Sequence, residues 1–183
     1  PSAEELDHDF MWRTNKRLPE RGRIGVFNRS YYEEVLVVRV HSGILNGQKL
    51  PSIPEDLNTI WEQRYNSIRN QEEHLARNGT IILKFWLHIR REEQKKRLGK
   101  LIKNARTSWR VEESPWGGSK RYQEVKLAAE HMMRITGTDR APWIAVNAAN
   151  RYYRGLTIGT TVHRISIVVL SWNCAATATL DLR

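Results

Sequence analysis

Cysteine is nearly missing: Cys174 is the only one in 183 residues. An intrachain disulfide is therefore excluded, and the usage suits a reducing compartment. No uninterrupted apolar run approaches the roughly 20 residues that a membrane-spanning helix needs, and the acidic opening (Glu4, Glu5, Asp7, Asp9) is unlike a signal or transit peptide. The expectation is a soluble, cytoplasmic protein with no membrane partner. The six histidines are scattered without metal-ligand spacing, which argues against a zinc site. There is no Gly-x-Ser-x-Gly elbow and no serine in an activating context, so hydrolase-type nucleophilic catalysis has little support. Acidic residues are also in deficit, 20 against 30 Lys and Arg, for a formal charge of +10 and a pI near 10.0. Such a balance calls for an anionic partner: nucleic acid, a membrane surface or a phosphate-rich small molecule.

What is present is a globular composition, 40% hydrophobic over 183 residues, enough for a core and for one domain. The stretch that organises it runs from Arg23 to Val35. An apolar run of strand length, Ile24 to Phe27, ends in Asn28-Arg29, and Ser30 with Glu33 three residues on gives a capping-box signal for a helix starting at once. In an open α/β sheet such a switch puts the residues after the strand at the carboxyl edge, where ligands meet helix N-termini. Asn28 and Arg29 are thereby site candidates; the plainer reading makes Asn28 a turn residue and Arg29 an exposed loop arginine.

The chain opens at Pro1 and reaches Asp7-His8-Asp9-Phe10-Met11-Trp12-Arg13, which reads as the tail of an element whose beginning is missing, so a fragment is expected. A basic loop at 14–22 leads into the first strand. The next helix, about Tyr31 to Val40, is apolar on nearly every side and should be buried. Residues 41–54 read as a loop, and Asp56 to Arg77 as a long amphipathic helix stopped by Asn78-Gly79. Thr80 to Ile89 reads as a strand buried on both faces, with Lys84 as its anomaly: either its stem packs on the sheet with the amine in water, or the amine meets an anion. A helix starts at Arg91, with about eight basic residues between Arg91 and Arg110, either a solvated face or a mobile arm closing over a polyanion. Further elements are a helix from Lys120 to Ile135, a short strand over Ala141 to Val146 and a final helix from Asn150 or Arg151 to about Leu170. Alternation of helices with at least three buried strands predicts an α/β protein, a parallel sheet flanked by helices on both faces in three layers.

The chemistry that recurs is cationic: Arg13, Arg29, Arg39, Arg64, Lys84, Arg97 and Arg106 fall at predicted strand ends or along helices. Phosphoryl transfer needs mainly positioned cations and in-line geometry, and this inventory fits it without a covalent nucleophile. It would also fit a nucleic-acid backbone. No helix-turn-helix, zinc or stacking-platform motif supports nucleic acid, which is disfavoured.

Several longer stretches together resemble one family: Leu6 to Arg13, Leu18-Pro19-Glu20-Arg21-Gly22, Val26 to His41, Asn78 to Leu87, Glu92 to Arg97, and Ala141-Pro142-Trp143. In this order they resemble the polyphosphate kinase 2 family of P-loop phosphotransferases, over about residues 4–150. The resemblance implies a thymidylate-kinase-like P-loop fold and transfer of phosphate between inorganic polyphosphate and AMP or ADP, giving ADP or ATP, assisted by Mg2+. It places Asn28 at the Walker B-type position, where many members have aspartate, as a weak magnesium ligand through water. Arg29 would contact a transferred phosphate. Arg13, Arg39, Arg64 and Lys84 would line the phosphate channel, and the segment from Lys95 to Arg110, including Arg97 and Arg106, resembles a lid over the phosphate chain, within a lid region of about 91–118. A homo-oligomer is left open.

This sequence departs from the family in lacking the Gly-x-Asp-x-Ala-Gly-Lys-Gly loop, whose amides and lysine cradle the reacting phosphates. It therefore reads as one partial domain over 1–183, truncated at its N-terminus, and a non-catalytic polyphosphate- or nucleotide-binding remnant is the alternative function. Within the lid, Arg90, Leu101, Ala105, Thr107 and Pro115 replace residues the family would lead one to expect. The loop's absence also removes the strand expected between Ile24–Phe27 and Ile81–Ile89. Those two strands would then have to pair directly or leave buried backbone groups unpaired, unless another segment fills the gap.

Overall fold

The computed structural model describes residues 1–106, 121–164 and the strand at 169–173. Four strands, β1 (Gly25–Asn28), β2 (Ile82–His88), β3 (Trp143–Asn147) and β4 (Val169–Asn173), form one parallel sheet in the order β1-β4-β2-β3. The gap expected between β1 and β2 is filled by the chain's own last strand. Phe27 pairs with Ser171, and Ser171 in turn pairs with Lys84. The expectation of a helix running to Leu170 is corrected accordingly: that helix stops at Arg164, and residues 169–173 are extended. The helix periodicity of 151–164 gives way to the β-branched and aromatic residues that prefer a pleated strand.

Seven helices accompany the sheet among the described residues: α1 (Ala3–Leu6), α2 (Trp12–Asn15), α3 (Glu33–Val40), α4 (Leu57–Arg77), α5 (Arg91–Lys103), α6 (Tyr122–Thr136) and α7 (Arg151–Arg164), with a 3-10 helix at Ser42–Gly47. The amphipathic pattern of α4 buries Ile60, Trp61, Arg64, Tyr65, Ile68 and Glu72. It meets Val35, Leu36 and Val38 of α3 and Ala129 and Met132 of α6 in the principal core, against which Trp86 and Trp143 of the sheet are packed. The other face of β2 presents Leu83, Phe85 and Leu87 to Ile158 of α7. Helices on both faces make the expected three layers, because side chains alternate sides along a strand.

Local chemistry explains the element ends. Asp56 caps α4, accepting the Asn58 N–H at 3.0 Å, while Gly79 adopts φ +88° just past its end, where a side chain would be strained. The capping box read at Ser30 and Glu33 does not form: α3 has no side-chain cap, and Ser30 Oγ accepts a long 3.5 Å bond from the Tyr32 N–H, outside the helix. Arg29 has φ +58°, and the turn it makes places Ser30 too early to cap a helix that begins at Glu33.

Candidate functional site

All four strands are parallel, so their carboxyl ends share one edge of the sheet, the usual place for a ligand. Along β1 and past its carboxyl end runs a cleft of about 460 Å3, lined by Arg13, Lys16, Arg17, Asn28 and Arg29 and also by Glu4 and Glu5. The apolar alternation of β1 ends at Asn28, and the left-handed turn at Arg29 sets that side chain at the cleft. α2 supplies the opposite wall. Arg13 lies 4.0 Å from Glu5 and Lys16 lies 3.5 Å from Glu4. These are loose, partly exposed pairs of small energy, so a multivalent anion would compete for the cations without a large penalty.

Glu33 lines neither cleft, but its carboxyl feels the charges of Arg29 and Arg13, although the sequence suggests for it only a capping role. Its carboxyl is pushed up to about 7 by burial, against the lowering fields of Arg29 and Arg13. Its Oε1 has no hydrogen-bond partner.

A second cleft of about 450 Å3 shares Arg13 with the first and is lined also by His8, Asp9, Phe10, Gln48, Leu50, Pro51, Pro54, Ile60 and Arg64. Its floor is an internal network. Arg64 donates to Glu34 Oε2 at 2.8 Å and to Gln48 Oε1 at 2.6 Å, and Gln48 Nε2 donates to Glu34 Oε2 at 2.7 Å. The guanidinium lies over the rings of Phe10 and Trp61, 5.2 and 5.6 Å from their centroids. The mixture of aromatic wall, proline rim and buried polar floor is typical of a small-molecule pocket.

Other cations placed in the channel by the sequence lie elsewhere. Lys84 is fully buried: its Nζ donates to Glu72 Oε2 at 2.8 Å, to the Tyr32 hydroxyl at 3.0 Å and to the Thr136 carbonyl at 2.7 Å. The anion it meets is a carboxylate of α4, so its three donors are used and none reaches a cleft. The Tyr31 and Tyr32 hydroxyls also donate to Glu72, at 3.0 and 2.7 Å, and burial beside that carboxylate raises both phenols well above their usual pKa. Arg39 donates to the Tyr65 hydroxyl at 2.8 Å. Arg97 donates to Glu93 at 2.8 Å and to the carbonyls of Ala148 and Ala149 at 2.9 and 3.0 Å, tying α5 to the segment after β3. Lys95 is exposed on α5, Arg106 is exposed just beyond it, and Arg110 falls outside the described residues. Arg13, Asn28 and Arg29 are therefore brought together, whereas Arg39, Lys84, Lys95, Arg97 and Arg106 do not line that cleft.

The described residues contain no group of three or more His, Cys, Asp or Glu able to hold a metal ion. At the first cleft Asn28 offers a neutral amide, and the two carboxylates there, Glu5 and Glu4, are paired with Arg13 and Lys16. These residues do not fit a preformed magnesium site, and any ion there would have to arrive with its phosphate ligands.

A parallel three-layer sheet with cations gathered where its first strand ends defines an α/β protein of the kinase-like class. The family model for polyphosphate kinase 2 (PPK2) matches residues 1–168, and the chain belongs to that family. It is 43% identical over 162 residues to the ADP-polyphosphate phosphotransferase of Rhodopseudomonas palustris, covering 88% of this chain and 56% of that one. To the AMP/ADP-polyphosphate phosphotransferase of Meiothermus ruber it is 36% identical over 154 residues, covering 84% and 53%. The crystal structure of polyphosphate kinase 2 from Arthrobacter aurescens TC1 superposes with a TM-score of 0.72 at 30% identity, over 98% of this chain and 59% of that one. The chain thus spans a little over half the length of each of these three relatives. Among the described residues no helix is long and apolar enough to cross a membrane.

Proposed function

We propose that this chain is the acceptor- and phosphate-gripping part of a phosphotransferase that moves phosphate between inorganic polyphosphate and AMP or ADP. The observation that carries this reading is the cleft at the end of β1, where Arg13, Lys16, Arg17 and Arg29 face Asn28. Four cations lining one cleft from two sides suit a run of phosphoryl groups, whose negative charge they would neutralise as the in-line transfer proceeds. The adjoining cleft, with Phe10 and the apolar rim of Leu50, Pro51 and Pro54, has the size and character for a nucleoside, and Arg13, common to both, would hold the phosphate of that acceptor. Magnesium, expected for the family, would enter on the phosphates, with Asn28 reaching it through water.

A phosphate-transfer assay tests the proposal: AMP or ADP with polyphosphate and Mg2+, with and without the portion of the Rhodopseudomonas palustris relative that lies outside the match. Product formed in the supplemented reaction supports it, and none in either reaction refutes it. One feature favours the second reading, a binding remnant without turnover: the sequence holds no Gly-x-x-x-x-Gly-Lys loop. Tight polyphosphate or nucleotide binding with no product in the supplemented reaction would establish it.

A further inference from the structure

Arg29 holds φ +58°, a conformation that a residue with a side chain keeps only where its surroundings over-determine it. α3, which begins at Glu33, has no side-chain cap to fix the way the chain enters it. The turn between β1 and α3 is tied from across the fold. Tyr31 and Tyr32 are 4% and 1% exposed, and both hydroxyls donate to one oxygen, Oε1 of Glu72, at 3.0 and 2.7 Å. The other oxygen of Glu72 accepts from Lys84 at 2.8 Å, and Lys84 also donates to the Tyr32 hydroxyl. Packing alone would be served by phenylalanine at either position. Consecutive side chains leave the backbone in different directions, so two hydroxyls that converge on one oxygen restrain the turn about two axes. The rings add to this, lying 5.1 Å apart, with Tyr32 edge-on to Trp143 at 4.8 Å.

The anchor is itself stiff, since Glu72 belongs to α4 and Lys84 to the middle of β2. A buried ion pair adds little net stability over apolar residues of the same volume, so stability is a poor reason to have one here. A buried network whose members are all satisfied does fix a single geometry. We infer that Tyr31, Tyr32 and Glu72 are positioning residues of the phosphate site: they pin the turn after β1 so that Arg29 is already ordered at the cleft before an anion arrives. None of the three lines that cleft, and each acts through Arg29. An arginine ordered on folding loses less freedom on binding, which is the gain from preorganisation. The inference rests on reading the cleft along β1 as the phosphate site.

The test is a double-mutant cycle, read as the affinity of the 183-residue chain for a fluorescent polyphosphate. Tyr31→Phe removes one hydroxyl and keeps the ring, and Tyr31→Phe combined with Tyr32→Phe removes both. The expected losses are about threefold and about tenfold with Arg29 in place, and less than about twofold in the Arg29→Ala background, where nothing is left to position. Circular dichroism and urea unfolding check that each variant folds. Tyr31→Phe leaves Lys84 bonded to Glu72, Tyr32 and Thr136, so it carries the test alone if the double variant does not fold. Ile68→Val, in the same core and lining neither cleft, gives a comparable loss of stability and should change affinity less than about twofold. Unchanged affinity in the tyrosine variants, the same loss with and without Arg29, or an equal loss in Ile68→Val would each overturn the inference alone. Unchanged affinity in Arg29→Ala would refute the cleft as the phosphate site, and the inference with it.

Discussion

The ammonium of Lys84 lies 2.8 Å from the carboxylate of Glu72, and both side chains are almost wholly excluded from solvent. This pair joins the middle of β2 to α4, and its remaining bonds reach α6 and the turn before α3. Burial lowers the Lys84 pKa while Glu72 raises it, so the pair holds its charge by mutual support. Removing one partner strands the other in a medium that penalises it. Glu72→Ala is expected to destabilise the fold by about 3–5 kcal/mol, read from urea unfolding followed by tryptophan fluorescence. A loss below about 1 kcal/mol would show that water replaces the carboxylate.

Glu33 should make stability depend on pH. Its carboxyl rises from an ordinary 4.5 to about 7, so between those values the folded chain holds a proton that the unfolded chain has released. The stabilisation is complete below about pH 4.5 and is lost as pH rises through 7, amounting to about 1–3 kcal/mol. Glu33→Gln should remove this slope. Unfolding free energies at pH 5 and pH 8 for both proteins provide the check, and equal slopes would count against it.

Polyphosphate should bind through Arg13 and Arg29. Arg29→Ala is expected to weaken a fluorescent polyphosphate about 10- to 100-fold, the loss of one or two charge-assisted hydrogen bonds, and to flatten the salt dependence of binding. Arg39→Ala, whose guanidinium is engaged with Tyr65, should change affinity less than about threefold. Equal losses in the two variants would contradict the placement of the site.

β4 holds β1 to the rest of the sheet, because β1 pairs with no other described strand. Ser171→Pro removes a ladder donor from a strand paired on both sides and leaves its acceptor unpaired, at a cost of about 1–3 kcal/mol. Ending the chain after residue 168 should cost more still, with loss of the sharp thermal transition and of near-ultraviolet dichroism. A truncated chain that melts as the whole one does would mean that β1 is held by other contacts.

Arg97 should control the attachment of α5. With its bonds to Ala148 and Ala149 removed in Arg97→Ala, amide exchange across residues 91–103 is expected to speed up by roughly tenfold, while α4 keeps its protection. Unchanged exchange would show that the helix is held without that contact.

Much of the fold could be read along the chain because it rests on short-range pattern. The 3.6-residue period and the Asp56 and Gly79 ends of α4, and the apolar run of β2, are local signals. The last strand was hidden: Val169–Asn173 follows a helix without a turn signal, and its place between β1 and β2 depends on a vacancy left by other segments. The capping box at Ser30 failed for a similar reason, since the left-handed turn at Arg29 is not written in residue type. Of the candidate site, Asn28 and Arg29 were legible as a strand end. The shift at Glu33 was not legible, because it arises from burial near Arg29 and Arg13.

By itself the sequence determined the order and type of most elements, the surplus of positive charge, the want of a disulfide and the family likeness. These follow from composition and from spacings of a few residues. Tertiary structure alone decided which cations line a cleft and which are tied to internal partners. Arg64 meets Glu34 across 30 residues and Lys84 meets the Thr136 carbonyl across 52. A cation's availability depends on the partner and the dielectric that folding brings to it, and neither is set by its neighbours in the chain.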